Sequence, residues 1–168
     1  MNNNIIRIIF LLSLFCAEAV MADPPSYAIK FPNQQNWKIG YEQKRGKSFI
    51  QEFVKNDESV QSWSEIMTII YMEQPVRMNV ETAVMRTIDG FEKGCPSFRH
   101  SVISENPTTI IFRWSDEGCG GWPAQEGVIR ITAAENGAFS FQYAYLKNKA
   151  SPHIDEWIQT LSDAKVIP

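Results

Sequence analysis

The stretch that decides the fold is "ENGAFSFQYAY", residues 135–145. Its Asn136-Gly137 pair is the strongest short signal for a tight hairpin turn. Aromatic side chains then alternate with small or polar ones, and successive residues of a strand point to opposite faces. The aromatic face consists of Phe139, Phe141, Tyr143 and Tyr145. We predict that this face is the core side of a sheet beneath a helix; a stacking platform for ligands is the alternative.

A C-terminal helix is the natural cover for this aromatic face. Ser151 is a good N-cap residue, and Pro152 suits the first helical position. Apolar residues then recur with the spacing i, i+3, i+4 and i+7, at Ile154, Trp157, Ile158 and Leu161. We therefore predict a helix that packs this stripe over the aromatic strand.

The N-terminal half is predicted to begin with a hairpin. The segment "NWKIGYEQKRGKSFIQEFV", residues 36–54, indicates two strands joined at the turn 44–47. After it, Asp57 or Ser59 is a suitable cap for a short helical turn that holds Trp63.

A strand and a second helix follow the predicted turn. The β-branched run Thr68–Tyr71 indicates a strand that ends at Pro75. Asn79 can cap a helix that stops at Gly94, and its apolar stripe is Val80, Val84, Ile88 and Phe91. Three more strands, at 97–104, 108–114 and 127–132, precede the aromatic one. The order predicts an α+β fold, a mostly antiparallel sheet covered by two main helices.

The succession of elements resembles the Mog1/PsbP-like sandwich. The sequence is also similar to small exported proteins of uncharacterised function from Gram-negative bacteria. The matching features are Trp37 with Gly40-Tyr41, the segment "IQEFVKNDESVQSWSEIMT", two spaced cysteines and the closing Trp157 helix. This resemblance implies a fold and carries no known catalytic residues, and a fold alone does not supply a function.

The first 22 residues have the layout of a secretory signal peptide. A short start with Arg7 precedes an apolar run over 8–16, and small residues then favour cleavage before Asp23. A cut after Ala19 is the alternative. Phe15 stands where a lipoprotein has a small residue, so no membrane anchor is expected after cleavage. Residues 23–168 are predicted to form one α+β domain that is periplasmic or secreted.

The charge of the chain argues against nucleic acid as a partner. The formal net charge is −3, and "EQKRGK", residues 42–47, is the main basic segment. Nucleic-acid affinity depends chiefly on the neutralisation of phosphates by clustered Lys and Arg. We expect an unknown protein or a small ligand as the partner instead.

Two cysteines remain once the predicted signal peptide is removed. In an exported domain the pair Cys95 and Cys119 most simply forms a disulfide. A free reactive thiol and a metal site are the alternatives. Zinc sites usually need about four ligands, often in close pairs that this chain lacks.

No known catalytic motif is present, and we assign no catalytic residue, cofactor or metal. The chain has two histidines, His100 in a predicted strand and His153 in the first turn of the C-terminal helix. His100 and Ser101 point to opposite faces of their strand, so they cannot form a base–nucleophile pair. Glu65 interrupts an apolar stretch, and we predict that it caps a backbone amide or pairs with a basic residue.

The loop "DEGCGGWP", residues 116–123, is the best candidate for a partner contact. A disulfide at Cys119 would pin it, and its glycines would allow a tight turn. It would then present Asp116, Glu117 and Trp122. We expect an exported, non-enzymatic binding protein of the bacterial envelope or secretome, with a host-directed role as one option. The alternatives are a small hydrolase with a site near His100, and a carrier with an aromatic cavity between sheet and helices.

Overall fold

The protein has a seven-stranded antiparallel sheet with one helix on each face, as seen in a computed structural model that describes residues 25–74, 79–149 and 154–167. The strands are β1 (Ser26–Ala28), β2 (Trp37–Arg45), β3 (Ser48–Lys55), β4 (Glu65–Glu73), β5 (Arg99–Asn106), β6 (Thr109–Ser115), β7 (Gln125–Ala134), β8 (Gly137–Leu146) and β9 (Lys165–Ile167). The helices are α1 (Val80–Gly94) and α2 (Ile154–Asp163), and a 3-10 turn covers Gln34–Asn36. The predicted α+β class is confirmed. Within the described ranges no helix has the length and apolar character needed to cross a membrane.

The sheet consists of two meanders that meet at its centre. The strand order is β2-β3-β4-β8-β7-β6-β5, and every neighbouring pair is antiparallel. Strands β4 and β8 pair from Glu65–Tyr145 to Glu73–Gly137 and form the joint between the meanders. Because β8 is central, both of its faces are largely buried, with aromatic residues on one face and small or polar residues on the other.

The aromatic face of β8 is the core beneath α2, as predicted. Phe139, Phe141 and Tyr143 are fully buried, and the Trp157 ring of α2 stacks on Tyr143 with 4.1 Å between ring centroids. This face is packed with side chains, so it is neither a stacking platform nor the wall of a carrier cavity. Arg130 on β7 donates hydrogen bonds to backbone carbonyls at the end of α2, and these bonds satisfy the last turn of the helix.

The opposite face of the sheet is covered in part by α1, which contacts β6 and β7. The side-chain Oδ1 of Asn79 accepts a hydrogen bond from the Thr82 amide at 2.7 Å, so the predicted cap is confirmed. The predicted apolar stripe packs on the sheet, and its residues Val80, Val84 and Ile88 are buried. Cys95 follows the helix directly and is bonded to Cys119, which confirms the predicted disulfide.

The predicted helical turn around Trp63 is wrong. Residues 56–64 form an irregular connection closed by an isolated β-bridge between Ser59 and Ser62, whose backbones exchange two hydrogen bonds. The Glu58 carboxylate accepts from the amide of Ser64 at 2.9 Å. This connection joins two neighbouring antiparallel strands, so it reverses the chain direction within a few residues.

Two short strands near the chain ends have no counterpart among the predicted elements. β1 and β9 pair antiparallel as a two-stranded ribbon, with Tyr27 opposite Val166. The Tyr27 ring packs among the aromatic residues of the α2 face, 6.0 Å from the Phe141 centroid. The predicted signal peptide, the strand end at Pro75, and the cap and first-turn residues 151–153 of α2, including His153, lie outside the described residues.

Candidate functional site

The face of the sheet that carries α1 has an open cleft beside the helix. Helix α1 lies over β6 and β7, and a space of about 330 Å³ remains over β3, β4 and β8. This volume is at the small end of the range for ligand pockets, roughly 300–1,000 Å³. Its lining is aromatic and polar: Trp63, Phe91, Trp114 and Trp122 with Glu52, Thr68, Gln125 and Gln142, beside the smaller apolar Val60, Ile66 and Ala144. We call this space the tryptophan cleft.

Three polar side chains from different strands form the floor of the cleft. Glu52 on β3 pairs with Thr68 on β4, and Thr68 pairs with Gln142 on β8. Residues paired across antiparallel strands point to the same face, so the three lie in one row. The Gln142 side-chain amide donates to Ser140 Oγ at 3.0 Å. A carboxylate, a hydroxyl and an amide are thus placed side by side.

The walls of the cleft consist of two aromatic pairs. The Trp63 and Trp122 rings are 6.1 Å apart between centroids and tilted by 32°. Phe91 from α1 stacks on Trp114 from β6 at 5.7 Å and 16°. Trp114 is buried, whereas Trp122 is 46% exposed and is the aromatic wall residue most accessible from solvent.

The disulfide loop fixes the position of Trp122. The bond from Cys119 to Cys95 ties the loop to the end of α1, and the Cys119 carbonyl accepts from the Trp122 amide at 2.9 Å. Gly118 has a φ of +96°, and a Cβ there would lie 3.0 Å from the Trp122 carbonyl oxygen. Only glycine adopts this turn without strain, as the glycine-rich stretch predicted.

The three residues predicted as partner contacts differ in accessibility. Trp122 is exposed and lines the cleft. Glu117 is also exposed, and its carboxylate forms an ion pair with Lys147 at 2.8 Å. The predicted presentation of Asp116 needs correction, because Asp116 is only 6% exposed and its Oδ1 accepts from the Gly118 amide at 2.7 Å. Asp116 holds the turn and is turned away from solvent.

The predicted alternative site near His100 lacks the geometry of a catalytic base. The imidazole is exposed on the edge strand β5 and lies against the Phe98 and Phe112 rings, with centroids 6.0 and 6.1 Å away. Among the described residues, no carboxylate is hydrogen-bonded or ion-paired to His100. A general base needs a hydrogen-bonded partner that orients it. His100 shares an open cleft with Arg113 and Glu126, but the Glu126 carboxylate is engaged by Tyr145 and Arg113.

A group of potential metal ligands lies beneath the loop. The side chains of Cys95, Asp116 and Cys119 place one ligand atom each within 4.8 Å of one another. Both sulfur atoms belong to the disulfide, so neither is available as the thiolate that a metal needs.

The α2 face carries a polar network around Glu65 and Glu126. Glu65 accepts from the Tyr143 hydroxyl at 2.9 Å and forms an ion pair with Lys55 at 3.3 Å, so its predicted pairing with a basic residue is confirmed. Glu126 accepts from the Tyr145 hydroxyl at 3.0 Å and lies 3.7 Å from an Arg113 nitrogen. These contacts leave both carboxylates engaged, so the network stabilises the sheet end.

Tyr145 is expected to make the stability of the protein fall at high pH. Burial, and next the hydrogen bond to Glu126, raise the pKa of Tyr145 to about 12. Since an unfolded tyrosine ionises near pH ~10, the stabilisation is complete below pH ~10 and is lost as the pH rises towards about 12. Urea unfolding followed over this pH range will measure the loss. Tyr145→Phe should show a shallower decline, whereas the exposed-site variant Tyr41→Phe should follow the native profile; equal profiles for all three proteins would contradict the expectation.

The electrostatics of the tryptophan cleft are set by one carboxylate. Burial raises the pKa of Glu52 above its ordinary value. Among the described residues Glu52 has neither an ion pair nor a side-chain hydrogen bond, and neither Lys nor Arg lines the cleft. The sequence predicted Trp122 as a site residue but not Glu52, Trp63 or Gln142, because only the tertiary structure brings them together.

Comparison of the chain with protein-family models, with curated proteins and with solved structures finds no match. A function for this protein is therefore inferred from the geometry of the cleft.

Proposed function

We propose that the protein is an exported binding protein, and that it holds a small ligand, or a side chain of a partner protein, in the tryptophan cleft. The observation that carries the proposal is the convergence of three tryptophans on a row of polar groups. The rings come from the 56–64 connection, β6 and the disulfide loop, and the polar row from β3, β4 and β8. Binding pockets commonly combine an apolar wall with a few placed polar groups.

The rigidity of the loop supports recognition as the role of this cleft. Trp122 is half-exposed, yet its backbone is held by the disulfide and by the hydrogen bond to Cys119. A prepositioned aromatic side chain loses little conformational freedom when a ligand binds. The loop can thus present a tryptophan to a ligand without a large entropic cost.

Export and family are further parts of the proposal. The N-terminal apolar segment has the pattern of a signal peptide, and a disulfide suits an oxidising compartment. We place the protein in the bacterial periplasm or secretome, with a Mog1/PsbP-like sandwich as its fold type. The central antiparallel sheet with helices packed on it supports this fold type. An envelope role and a host-directed role are both consistent with export.

The test of the binding role is a screen of a small-fragment library by NMR on the full mature chain. Chemical-shift changes are expected to concentrate on the indole N–H of Trp122 and Trp63 and on the side-chain amide of Gln142. Trp122→Ala should weaken the hits by about tenfold, since stacking on an aromatic ring contributes up to ~1.5 kcal/mol. Met85→Ala removes an exposed side chain of α1 that does not line the cleft, and it should leave the affinities unchanged.

Two results would overturn this function. The first is a set of fragment shifts that avoids the cleft altogether. The second is turnover of a hydrolase substrate panel that His100→Ala abolishes, because it would establish the alternative of a small enzyme.

A further inference from the structure

We propose that the tryptophan cleft binds a methylated ammonium, an organic cation in which methyl groups surround the positively charged nitrogen. The inference rests on the proposed function and names the ligand class for the same site. It follows from the single carboxylate in the cleft and from the aromatic walls.

The ionisable part of the cleft lining is negatively charged only. Glu52 is the only ionisable side chain in its lining, and it has no charged or hydrogen-bonded partner in the part of the chain that the structure describes. Elsewhere the partly buried carboxylates are paired, as Glu65 is with Lys55 and Glu126 with Arg113. A half-buried carboxylate without a counter-ion attracts a cation more strongly than an exposed one, because less water screens the interaction.

The aromatic walls favour the same sign of charge. The face of a tryptophan ring carries negative electrostatic potential, and cations bind against it. The chain itself contains such a contact, with Lys55 Nζ 4.0 Å from the Trp37 centroid on the other side of the sheet. The two cation–ring contacts in the described ranges involve Trp37 and Phe141, so the rings of Trp63 and Trp122 are without a cation there.

The aromatic walls suit a methylated ammonium better than a primary one. A primary ammonium has three N–H donors that need hydrogen-bond acceptors, whereas the walls at Trp63 and Trp122 offer ring faces. A trimethylammonium group has no N–H to satisfy, and its methyl groups can pack against these rings.

The residues around the tryptophan cleft determine which end of it binds the positive end of the ligand. A second space of about 450 Å³ adjoins the cleft along α1 and shares Phe91 and Gln142 with it. Arg86 lines that second space, so the positive end of a ligand belongs at the opposite end, against Glu52, Trp63 and Trp122.

The decisive experiment compares choline chloride with 3,3-dimethyl-1-butanol, which has the same shape without the charge. Both are titrated into the full mature chain, and the indole and Gln side-chain NMR signals report binding. We expect choline to bind about tenfold more tightly than the neutral probe. Glu52→Gln should reduce this preference by weakening choline alone, and the part that remains comes from the tryptophan rings. Trp122→Ala should weaken both probes, and Glu105→Gln, an exposed acid on β5, should change neither.

The possible outcomes distinguish a failure of the cation proposal from a failure of the proposed binding function. Equal affinities for the two probes, or a preference for choline that Glu52→Gln leaves undiminished, would overturn the cation proposal and leave the binding role standing. Methyl α-glucoside is included as a third probe, and binding of this sugar without choline would also overturn it. If none of the three probes nor any library fragment shifts a cleft signal, the binding role fails as well.

Discussion

Trp157→Ala is expected to lower the free energy of unfolding by about 4 kcal/mol. Trp157 is only 3% exposed and is the centre of the aromatic cluster beneath α2. Its ring stacks on Tyr143 at 4.1 Å, lies edge-on to Trp37 at 5.4 Å and is tilted against Phe31 at 5.7 Å. Alanine would leave a cavity that these surrounding rings, held by the sheet, cannot fill.

Urea unfolding followed by far-ultraviolet circular dichroism measures this effect directly. Trp122→Ala is the matched control, because it removes the same side chain from a half-exposed site and should lower the free energy of unfolding by only about 1 kcal/mol. A loss in the control as large as that in Trp157→Ala would mean that the cleft wall, rather than the α2 face, holds the fold together. Unchanged midpoints in both variants would show that the aromatic cluster is not the main core.

Removal of the disulfide is expected to cost about 3 kcal/mol. The bond joins residues that are 24 positions apart, and closing a loop of this length reduces the conformational entropy of the unfolded chain. We predict this loss for the double variant Cys95→Ala/Cys119→Ala. The amides of residues 117–122 should also exchange with solvent faster, since the loop is held to the end of α1 by this bond.

A reducing agent supplies the control for the disulfide experiment. It should destabilise the native protein by about as much as the double substitution does, and it should not change the double variant. If reduction leaves the stability of the native chain unaltered, the bond does not contribute to the fold. If the variant loses stability without faster exchange at 117–122, the loop is ordered by its own glycine turn and by Asp116.

The elements whose signals are local were predicted correctly. The Asn79 cap and the stripe from Val80 to Ile88 lie within one helix, and the alternation from Phe139 to Tyr145 lies within one strand. The cysteine pair was found by counting, because two cysteines in a small domain that is predicted to be exported most simply form a disulfide. Each of these signals is contained in a short segment of the sequence or in the number of cysteines.

The errors arose where the tertiary structure overrode a local preference. Asp57 and Ser59 are good cap residues, and they favoured a helical turn. Val54 and Ile66 lie opposite each other in the sheet, however, so the chain between them must reverse direction. The ribbon of β1 and β9 was missed because its strands have three residues each, too few for a periodic pattern.

The candidate site could be predicted only in part for the same reason. Trp122 was visible as an exposed aromatic in a glycine-rich loop, whereas Asp116 in that loop is buried by its own turn. Glu52, Thr68 and Gln142 are far apart along the chain and look like ordinary polar positions of three strands. Their meeting depends on the register between β3, β4 and β8.

Local chemistry along the chain was enough to define most of the strands, the two helices, the buried face of β8 and the cysteine pair. The partners of each strand, the placement of α1 and α2 on opposite faces, and the open floor beside α1 were decided by long-range packing. The physical reason is that periodicity records which side of an element avoids water, and it does not record which other element covers that side. The tryptophan cleft lies beside α1, over strands that this helix leaves uncovered, so it exists only in the folded protein.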